Sequence, residues 1–220
     1  MTLPSLEILF EDNHQIVVNK PAGVLTQPDD TGNESLEELV KAWIKIKYNK
    51  QSNVFIGTVH RIDKPVSGVV LFARTSKALS RLNDSMRQKQ THKMYQATVE
   101  GRIAEPQGTL EHYLIHDDYY ARVTHSKDPA GKLCRLHYRV LDQKEDVAFV
   151  EIILETGRYH QIRAQMSAIG HPVVGDRKYG SRQRYQEGAI ALHHYRLQIP
   201  HPITGELQTF EAPPPMNLSH

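Results

Sequence analysis

A chain of 220 residues, 39% hydrophobic and 24% charged, is long enough for one compact domain with a sizeable core. No apolar run approaches the roughly 20 residues that cross a bilayer, and Met1 to Pro4 lack the basic and apolar layout of a secretory signal. We therefore expect a soluble, cytoplasmic protein. Cys134 is the only cysteine, which excludes an intrachain disulfide and a cysteine-based zinc cage. Its apolar neighbours indicate a buried side chain, with a reactive thiol as the alternative.

The hydrophobic pattern predicts many strands and few helices. Seven alternating or β-branched runs predict strands: Gln15–Asn19, Val54–Val59, Gly68–Ala73, Met94–Val99, Leu133–Leu141, Ala148–Leu154 and Ala191–Ile199. Three amphipathic stretches predict helices: Ser35 to about Lys47, Ser76–Gln88 and Tyr159–Ile169. Ser35 and Glu38 form a possible capping box, and Gly170 is a plausible end for the third helix. The pattern favours an α+β fold around a mixed, mostly antiparallel sheet with a few flanking helices, rather than a doubly wound parallel fold.

Charge is distributed unevenly along the chain, although the net charge is only +2. Residues 1–40 hold eight acidic side chains against Lys20 alone, which gives −7. Residues 74–94 and residues 158–184 each hold six arginines and lysines against one aspartate, which gives +5 for each segment. A surface that follows a phosphate backbone needs such clusters. On charge alone, an ordinary solvated helix face explains them equally well.

A first group of candidate catalytic residues is His60-Arg61-Ile62-Asp63. It follows a predicted strand and precedes a turn marked by Pro65 and Gly68. Loops held by a rigid sheet often present reacting side chains. An aspartate beside a guanidinium and an imidazole could stay ionised at neutral pH and act as a nucleophile or a base. The alternative is that Arg61 and Asp63 are surface partners in a loop.

Two further segments follow. In Thr156-Gly157-Arg158-Tyr159-His160-Gln161-Ile162-Arg163, a strand gives way to a helix. His160 and Arg163 are three residues apart and should share a helix face near the N-terminus, where the helix dipole favours a phosphate or carboxylate. A solvated basic first turn is the alternative. The alternating segment Lys93–Gly101 places Lys93 and Tyr95 on one strand face, and taken alone it indicates nothing catalytic.

Taken together and in this order, the three segments resemble the RluA-like family of RNA pseudouridine synthases. The shared patterns are H-R-x-D followed by S-G, K-x-Y-x-A-x-V-x-G, and T-G-R-x-H-Q-I-R. The resemblance extends from Asn19-Lys20-Pro21-Ala22-Gly23 to Gly175-Asp176-Arg177-Lys178-Tyr179-Gly180, and therefore covers most of the chain. It implies one pseudouridine synthase catalytic domain over residues 1–220, with no separate N-terminal RNA-binding domain.

The resemblance also implies a role for each matched position. Asp63 falls on the catalytic aspartate, Tyr95 on the active-site tyrosine, and Arg163 on the arginine that pairs with the aspartate. Arg61 matches a residue that helps to fill the space of the extruded nucleotide. The expected RNA-binding residues come from the matched motifs and from the two basic segments. They are His60, Arg61, Arg158, His160, Gln161, Arg81, Arg87 and Lys93. Tyr159, Gln165 and Gln27 depart from the common family residues, so substrate contacts there can differ; Tyr159 replaces a threonine.

The implied reaction converts specific uridines of structured rRNA or tRNA to pseudouridine. The nucleotide must leave the stack at a cost of a few kcal/mol. Asp63 then attacks the sugar or assists departure of the base, and Tyr95 transfers a proton or packs against the uracil. Because substrate and product have the same atoms, no metal, nucleotide cofactor or redox partner is required. The expected partner is an RNA stem-loop, with no membrane, no obligatory protein partner and a monomeric chain.

Two rival functions remain open at this stage. A catalytically inactive RNA-binding or ribosome-assembly protein of the same fold would bind RNA without forming product. A metal-dependent hydrolase is suggested by the thirteen histidines and the adjacent His193-His194. Adjacent strand residues point to opposite faces, however, and no H-E-x-x-H pattern occurs.

Overall fold

The computed structural model describes residues 4–219 and divides the chain into two compact units. Unit 1 comprises the chain up to His92 together with His194–Pro213, and unit 2 comprises Lys93–His193 and the remaining C-terminal residues. The part of the secretory-signal prediction that rests on Met1 to Leu3 lies outside the described residues. Within residues 4–219, no helix is long and apolar enough to cross a membrane.

Unit 1 is built on antiparallel strands with two helices. Its elements are β1 (Glu7–Glu11), β2 (Gln15–Lys20), α1 (Leu36–Lys47), β3 (Gly57–Thr58), β4 (Ser67–Ala73), α2 (Ser76–Arg87), most of β10 (Leu192–Pro200), and β11 (Leu207–Glu211). Strand β2 pairs antiparallel with both β1 and β4, β3 pairs with β4, and β10 pairs with β11. The isolated bridge between Leu25 and Ser35 is parallel.

The helices of unit 1 form where the sequence pattern predicts them. The Ser35 side chain accepts a hydrogen bond from the Glu38 backbone, and the Glu38 carboxylate accepts one from the Ser35 N–H, so the capping box is confirmed. Helix α2 contributes Ala78 and Leu82 to a core that also contains Leu71 of β4. The remaining fully or largely buried members of this core are Val17, Val69, Ala73, Leu197, Ile199, Phe210 and Ala212.

Unit 2 contains an antiparallel sheet and one α-helix. Its elements are β5 (His92–Glu100), β6 (Gln107–Asp117), β7 (Tyr120–Thr124), β8 (Lys132–Gln143), β9 (Val147–Leu154), α3 (Gln161–Ala168) and a 3₁₀ helix (Arg177–Tyr179). The strand order is β5-β9-β8-β6-β7, with antiparallel pairing throughout this series. The small core where α3 packs contains Leu114, Ala121, Cys134, Ala164 and Tyr179.

The predicted mixed, mostly antiparallel sheet with few helices is therefore confirmed. Cys134 is fully buried, and burial raises the pKa of its thiol to about 11, which keeps the thiol protonated at neutral pH. The predicted strand Val54–Val59 shrinks to Gly57–Thr58. Strands β1, β6, β7 and β11 were not predicted.

Candidate active site

The loop that carries Asp63 is held on both sides of that residue. The Thr26 hydroxyl donates to the Ile62 carbonyl (2.8 Å), and the Ile62 N–H donates back to the same hydroxyl oxygen (3.3 Å). On the other side, the Gly23 N–H donates to the Lys64 carbonyl (2.8 Å). Residues 20–26 therefore clamp the backbone that presents Asp63, whose side chain lies half-buried.

Lys20 is the most deeply buried part of this clamp. Its side chain is fully buried, and its Nζ donates to the carbonyls of Pro21 (3.0 Å), Val24 (2.7 Å) and Lys64 (3.2 Å). Burial lowers the pKa of Lys20 to about 7, while the negative charge of Asp63 acts in the opposite direction. The sequence pattern placed Lys20 in the Asn19–Gly23 signature without giving it a role. A lysine that ends an apolar strand just before Pro-x-Gly was the available signal.

His60 and Gly68 explain how the loop joins the sheet of unit 1. The His60 Nε2 accepts a hydrogen bond from the Leu71 N–H (3.2 Å), and its ring lies edge-on to that of His194 at 5.3 Å. Gly68 has a φ of +119°, and a Cβ there would lie 2.6 Å from the His194 nitrogen and closer still to its carbonyl oxygen. The S-G step therefore lets two backbones approach closely. The RNA-binding role of the buried His60 stays a prediction.

The adjacent His193 and His194 prompted the rival hypothesis of a metal-dependent hydrolase. His193 and His194 are both buried, and the His194 Nδ1 lies 2.7 Å from the Val69 carbonyl oxygen, to which it donates. Among residues 4–219, no group of three or more His, Cys, Asp or Glu side chains is arranged to hold a metal ion.

In unit 2, Tyr95 occupies the centre of β5 and is 7% exposed. It shares a strand face with the fully buried Ala97. Lys93 lies two residues earlier, and its Nζ is 3.7 Å from the position that a Cβ on Gly157 would take. Burial lowers the pKa of Lys93. The Lys93 ammonium thus lies beside the backbone of the T-G-R segment.

Arg163 forms a buried, two-pronged ion pair with Asp176. Its Nε and Nη2 donate to the two carboxylate oxygens at 2.6 Å and 2.9 Å, and the two side chains are 6% and 1% exposed. The guanidinium also lies over the Tyr179 ring, 5.0 Å from its centroid. Two parallel hydrogen bonds fix the plane of the guanidinium. The sequence patterns placed Asp176 within a motif but did not identify it as a partner of Arg163, and the pairing of Arg163 with Asp63 stays a prediction.

The prediction that α3 begins at Tyr159 is wrong. The helix begins at Gln161, and His160 precedes it with a left-handed φ of 49°, so His160 and Arg163 do not share a first-turn helix face. Both nevertheless reach Tyr179: the His160 Nδ1 lies 2.8 Å from its hydroxyl. Burial, followed by the charge of Arg163, lowers the pKa of His160 to about 3, so its imidazole is neutral.

Gln161 ties the T-G-R segment to the sheet of unit 2. Its amide oxygen accepts from the Thr156 hydroxyl (2.8 Å) and the Arg158 N–H (3.0 Å), and its amide nitrogen donates to the Arg135 carbonyl (3.2 Å). The side chain is 2% exposed. These contacts give Gln161 a structural task, and its predicted RNA-binding role stays untested.

The basic segments differ in how many charges face solvent. In residues 158–184, Arg163 and Asp176 neutralise each other inside the unit, and the other five cations are exposed: Arg158, Arg177, Lys178, Arg182 and Arg184. In residues 74–94, Arg74 is half-buried against Glu11, and Arg87 pairs with Asp84 on the surface of α2 at 2.6 Å. Arg81 donates to the Pro202 carbonyl at 2.8 Å.

Comparison with known proteins defines the class. The family model of RNA pseudouridylate synthases matches residues 14–168, a range that contains the Asp63 loop, the Tyr95 strand and the T-G-R segment. This chain belongs to the RluA-like family of RNA pseudouridine synthases, isomerases that act on RNA.

Individual relatives match over nearly the whole chain. An uncharacterised RNA pseudouridine synthase of Bacillus subtilis, YhcT, is 35% identical over 98% of this chain and 70% of its own length. The dual-specificity RNA pseudouridine synthase RluA of Haemophilus influenzae is 34% identical over 95% of this chain and 93% of its own length. The ribosomal large subunit pseudouridine synthase D of Zymomonas mobilis is 34% identical, covering 97% of this chain and 70% of the relative.

Solved structures of similar shape support the same fold. Human RNA pseudouridylate synthase domain containing 4 superposes with a TM-score of 0.81 at 20% identity, covering 96% of this chain and 90% of that one. Human RNA pseudouridylate synthase domain containing 1 gives a TM-score of 0.77 at 23% identity, covering 98% and 86%. The α+β pseudouridine synthase fold predicted from the motifs is confirmed.

Proposed function

We propose that this protein converts specific uridines in structured rRNA or tRNA to pseudouridine by flipping the target nucleotide and attacking it with Asp63. The observation that carries the proposal is the clamped loop, in which Thr26, Gly23 and Lys20 hold the backbone on both sides of a half-buried carboxylate. Preorganisation of this kind is what a nucleophile needs, because small misplacements of reacting groups cost large factors in rate. Two relatives, a ribosomal large subunit pseudouridine synthase and a dual-specificity RNA pseudouridine synthase, support an RNA substrate.

The proposed reaction needs no added reactant. Asp63 forms a bond to the ribose C1′ as the bond from C1′ to N1 of uracil breaks. The base then turns, C5 attacks C1′ and displaces the carboxylate, C5 loses its proton and N1 gains one. Unstacking the uridine costs a few kcal/mol, which contacts with the RNA backbone must recover. Assistance by Asp63 in departure of the base, without a covalent bond, is the alternative route.

We propose Tyr95 and Arg163 as the other two catalytic groups, working with Asp63 as parts of one catalytic domain. Support comes from how firmly each is held. Tyr95 lies in the middle of a nine-residue strand, and Arg163 is oriented by two hydrogen bonds to Asp176. Tyr95 would transfer a proton at the ribose or pack against the uracil, and Arg163 would pair with the Asp63 carboxylate and orient it.

The exposed cations are the proposed contacts with RNA phosphates. Arg158 and Arg61 are exposed, as are Arg81 and Arg87 on α2. The ion pair of Arg87 with Asp84 is a surface pair of low value, so a phosphate can replace the carboxylate at little cost. Lys93 is the proposed contact closest to Tyr95 along the chain.

The most direct test of the function compares pseudouridine maps of total RNA from cells with and without the gene. We expect one site, or a small set of sites in rRNA or tRNA, to disappear with the gene. The wild-type gene should restore them, and a gene encoding Asp63→Asn should not. If no site disappears while the purified protein still binds RNA, the chain is an inactive RNA-binding protein of the same fold.

A further inference from the structure

Residues 181–185 of unit 2 form an arm that is bound to Glu100, the last residue of β5. The Oε1 atom of Glu100 accepts a hydrogen bond from the Ser181 hydroxyl (2.6 Å). The same oxygen accepts from the backbone N–H groups of Arg182 (2.6 Å) and Gln183 (2.7 Å). Burial acts against ionisation, but these hydrogen bonds lower the pKa of Glu100, so its carboxylate is charged at neutral pH. A charged acceptor with three donors fixes the backbone of the arm at this point.

Further contacts hold the arm along its length. Ser181, at its start, is 7% exposed. The Gln183 side chain donates to the Asp146 carbonyl (3.1 Å), next to the first residue of β9. The Tyr185 hydroxyl, at the end of the arm, donates to the Asn217 amide oxygen (3.2 Å). The arm is therefore anchored at its start, its middle and its end.

Arg182 and Arg184 carry the positive charge of the arm. Both side chains are exposed, and within residues 4–219 neither guanidinium donates a hydrogen bond or forms an ion pair. Residues 177–188 hold four arginines and lysines against Glu187 alone, which gives +3. A guanidinium can bind two phosphate oxygens at once, and here the backbone that carries it is already ordered. The arm therefore matches an anionic backbone such as that of RNA.

The start of the arm is also tied to the residue that orients Arg163. The Asp176 carbonyl accepts from the Ser181 N–H (3.1 Å), and the Asp176 carboxylate forms the buried ion pair with Arg163. One aspartate thus fixes the first residue of the arm and the plane of the Arg163 guanidinium. A phosphate held by the arm would therefore lie at a constant distance from that arginine.

We infer that Arg182 and Arg184 bind backbone phosphates of the RNA, and that Glu100 is the positioning residue that holds them in place. Binding of phosphates follows from the RNA substrates of the family, whereas alignment of the RNA with Arg163 rests on the proposed function. Glu100 then strengthens RNA binding although it is negatively charged. A carboxylate that acted through its charge alone would weaken binding, because it repels phosphates.

The test measures affinity for a stem-loop RNA without uridine at several salt concentrations, so that no product can form. Arg182→Gln with Arg184→Gln should weaken binding and reduce the slope of log K against log salt by up to about 1.4, at about 0.7 per lost single-strand phosphate contact. Glu100→Gln keeps the shape of the side chain but weakens its three hydrogen bonds, and it should weaken binding as well. As a control, Glu105→Gln removes a charge from an exposed glutamate outside the arm and should bind as tightly as the wild type or slightly tighter.

The decisive comparison adds Glu100→Gln to the protein that already lacks both arginines, where it should cause no further weakening. Unchanged or tighter binding by Glu100→Gln, or an equal loss with and without the arginines, would overturn the positioning role. An unchanged salt slope in the arginine variant, whose substitutions lie on the surface, would overturn the phosphate contacts. Conversion of uridine-containing RNA by the wild type is measured separately. A reduced slope without product would remove the proposed function and leave the arm standing, and product with an unchanged slope would remove the arm alone.

Discussion

Replacing Lys20 with methionine tests whether a buried ammonium supports the Asp63 loop. The change keeps the length of an apolar side chain and removes three hydrogen bonds to the carbonyls of Pro21, Val24 and Lys64. The Lys64 carbonyl would lose its hydrogen bond from Lys20 and keep the one from the Gly23 N–H. We therefore expect the loop to loosen and kcat to fall, with a smaller change in KM for RNA.

The magnitude for stability follows from the pKa of Lys20, which burial lowers from 10.5 to about 7. Between these pH values the unfolded chain holds a proton that the folded chain has released, so the folded state gains stability as the pH rises. A pKa difference of one between the folded and unfolded chains corresponds to about 1.4 kcal/mol, so the full difference is worth about 5 kcal/mol. Below pH 7 the group is charged in both states and this gain is absent.

Urea unfolding of the wild type and Lys20→Met, from about pH 7 to about pH 9.5, measures this gain directly. Over that range, the unfolding free energy of the wild type should rise by about 3 kcal/mol relative to that of Lys20→Met. Other groups, including Cys134 and Tyr179, titrate equally in both proteins and cancel. Lys45→Met, at an exposed lysine of α1, should follow the wild type. Parallel pH curves for the wild type and Lys20→Met would show that burial does not lower the pKa of Lys20.

Three further substitutions test Arg163, Gly68 and the two arginines of α2. Arg163→Lys keeps the charge but cannot form two parallel hydrogen bonds, so turnover should be lost in a single-turnover assay; a wild-type rate would show that a general positive potential suffices. Gly68→Ala places a Cβ 2.6 Å from the His194 nitrogen at a positive φ, and urea unfolding should show a loss above about 2 kcal/mol; a near-neutral effect would count against the close approach. Arg81→Gln with Arg87→Gln should weaken binding of all RNAs similarly and reduce the slope of log K against log salt by up to about 1.4, at about 0.7 per lost single-strand phosphate contact; an unchanged slope would exclude both as phosphate contacts.

Local sequence signals predicted the regular parts of the fold well. The Ser35–Glu38 pair satisfies helix N-terminal N–H groups by itself, and β4 is a continuous apolar run that needs no tertiary information. Strand β6 was missed because among its eleven residues only Leu114 is fully buried, so its pattern is polar. The Val54–Val59 run has strand-like composition, yet only Gly57 and Thr58 find a partner strand.

The candidate site was predictable at the level of motifs and much less so at the level of contacts. The partner of Arg163 is thirteen positions away in the chain, and no local pattern assigns one aspartate to one arginine. The left-handed backbone of His160 leaves no trace in the local sequence pattern, and α3 begins two residues later than predicted. From the sequence alone, Lys20 would be placed on the surface as a solvated charge. Only the folded loop brings its three carbonyl partners into place.

The proposed mechanism depends most directly on the carboxylate of Asp63. Asp63→Asn keeps the size and shape of the side chain and removes its charge. With a purified RNA substrate under single-turnover conditions, nucleoside analysis of the digested RNA measures conversion of uridine to pseudouridine. We expect full conversion by the wild type and none by Asp63→Asn, with RNA affinity and unfolding free energy nearly unchanged. Pseudouridine formed by the Asn variant at a measurable rate would contradict it.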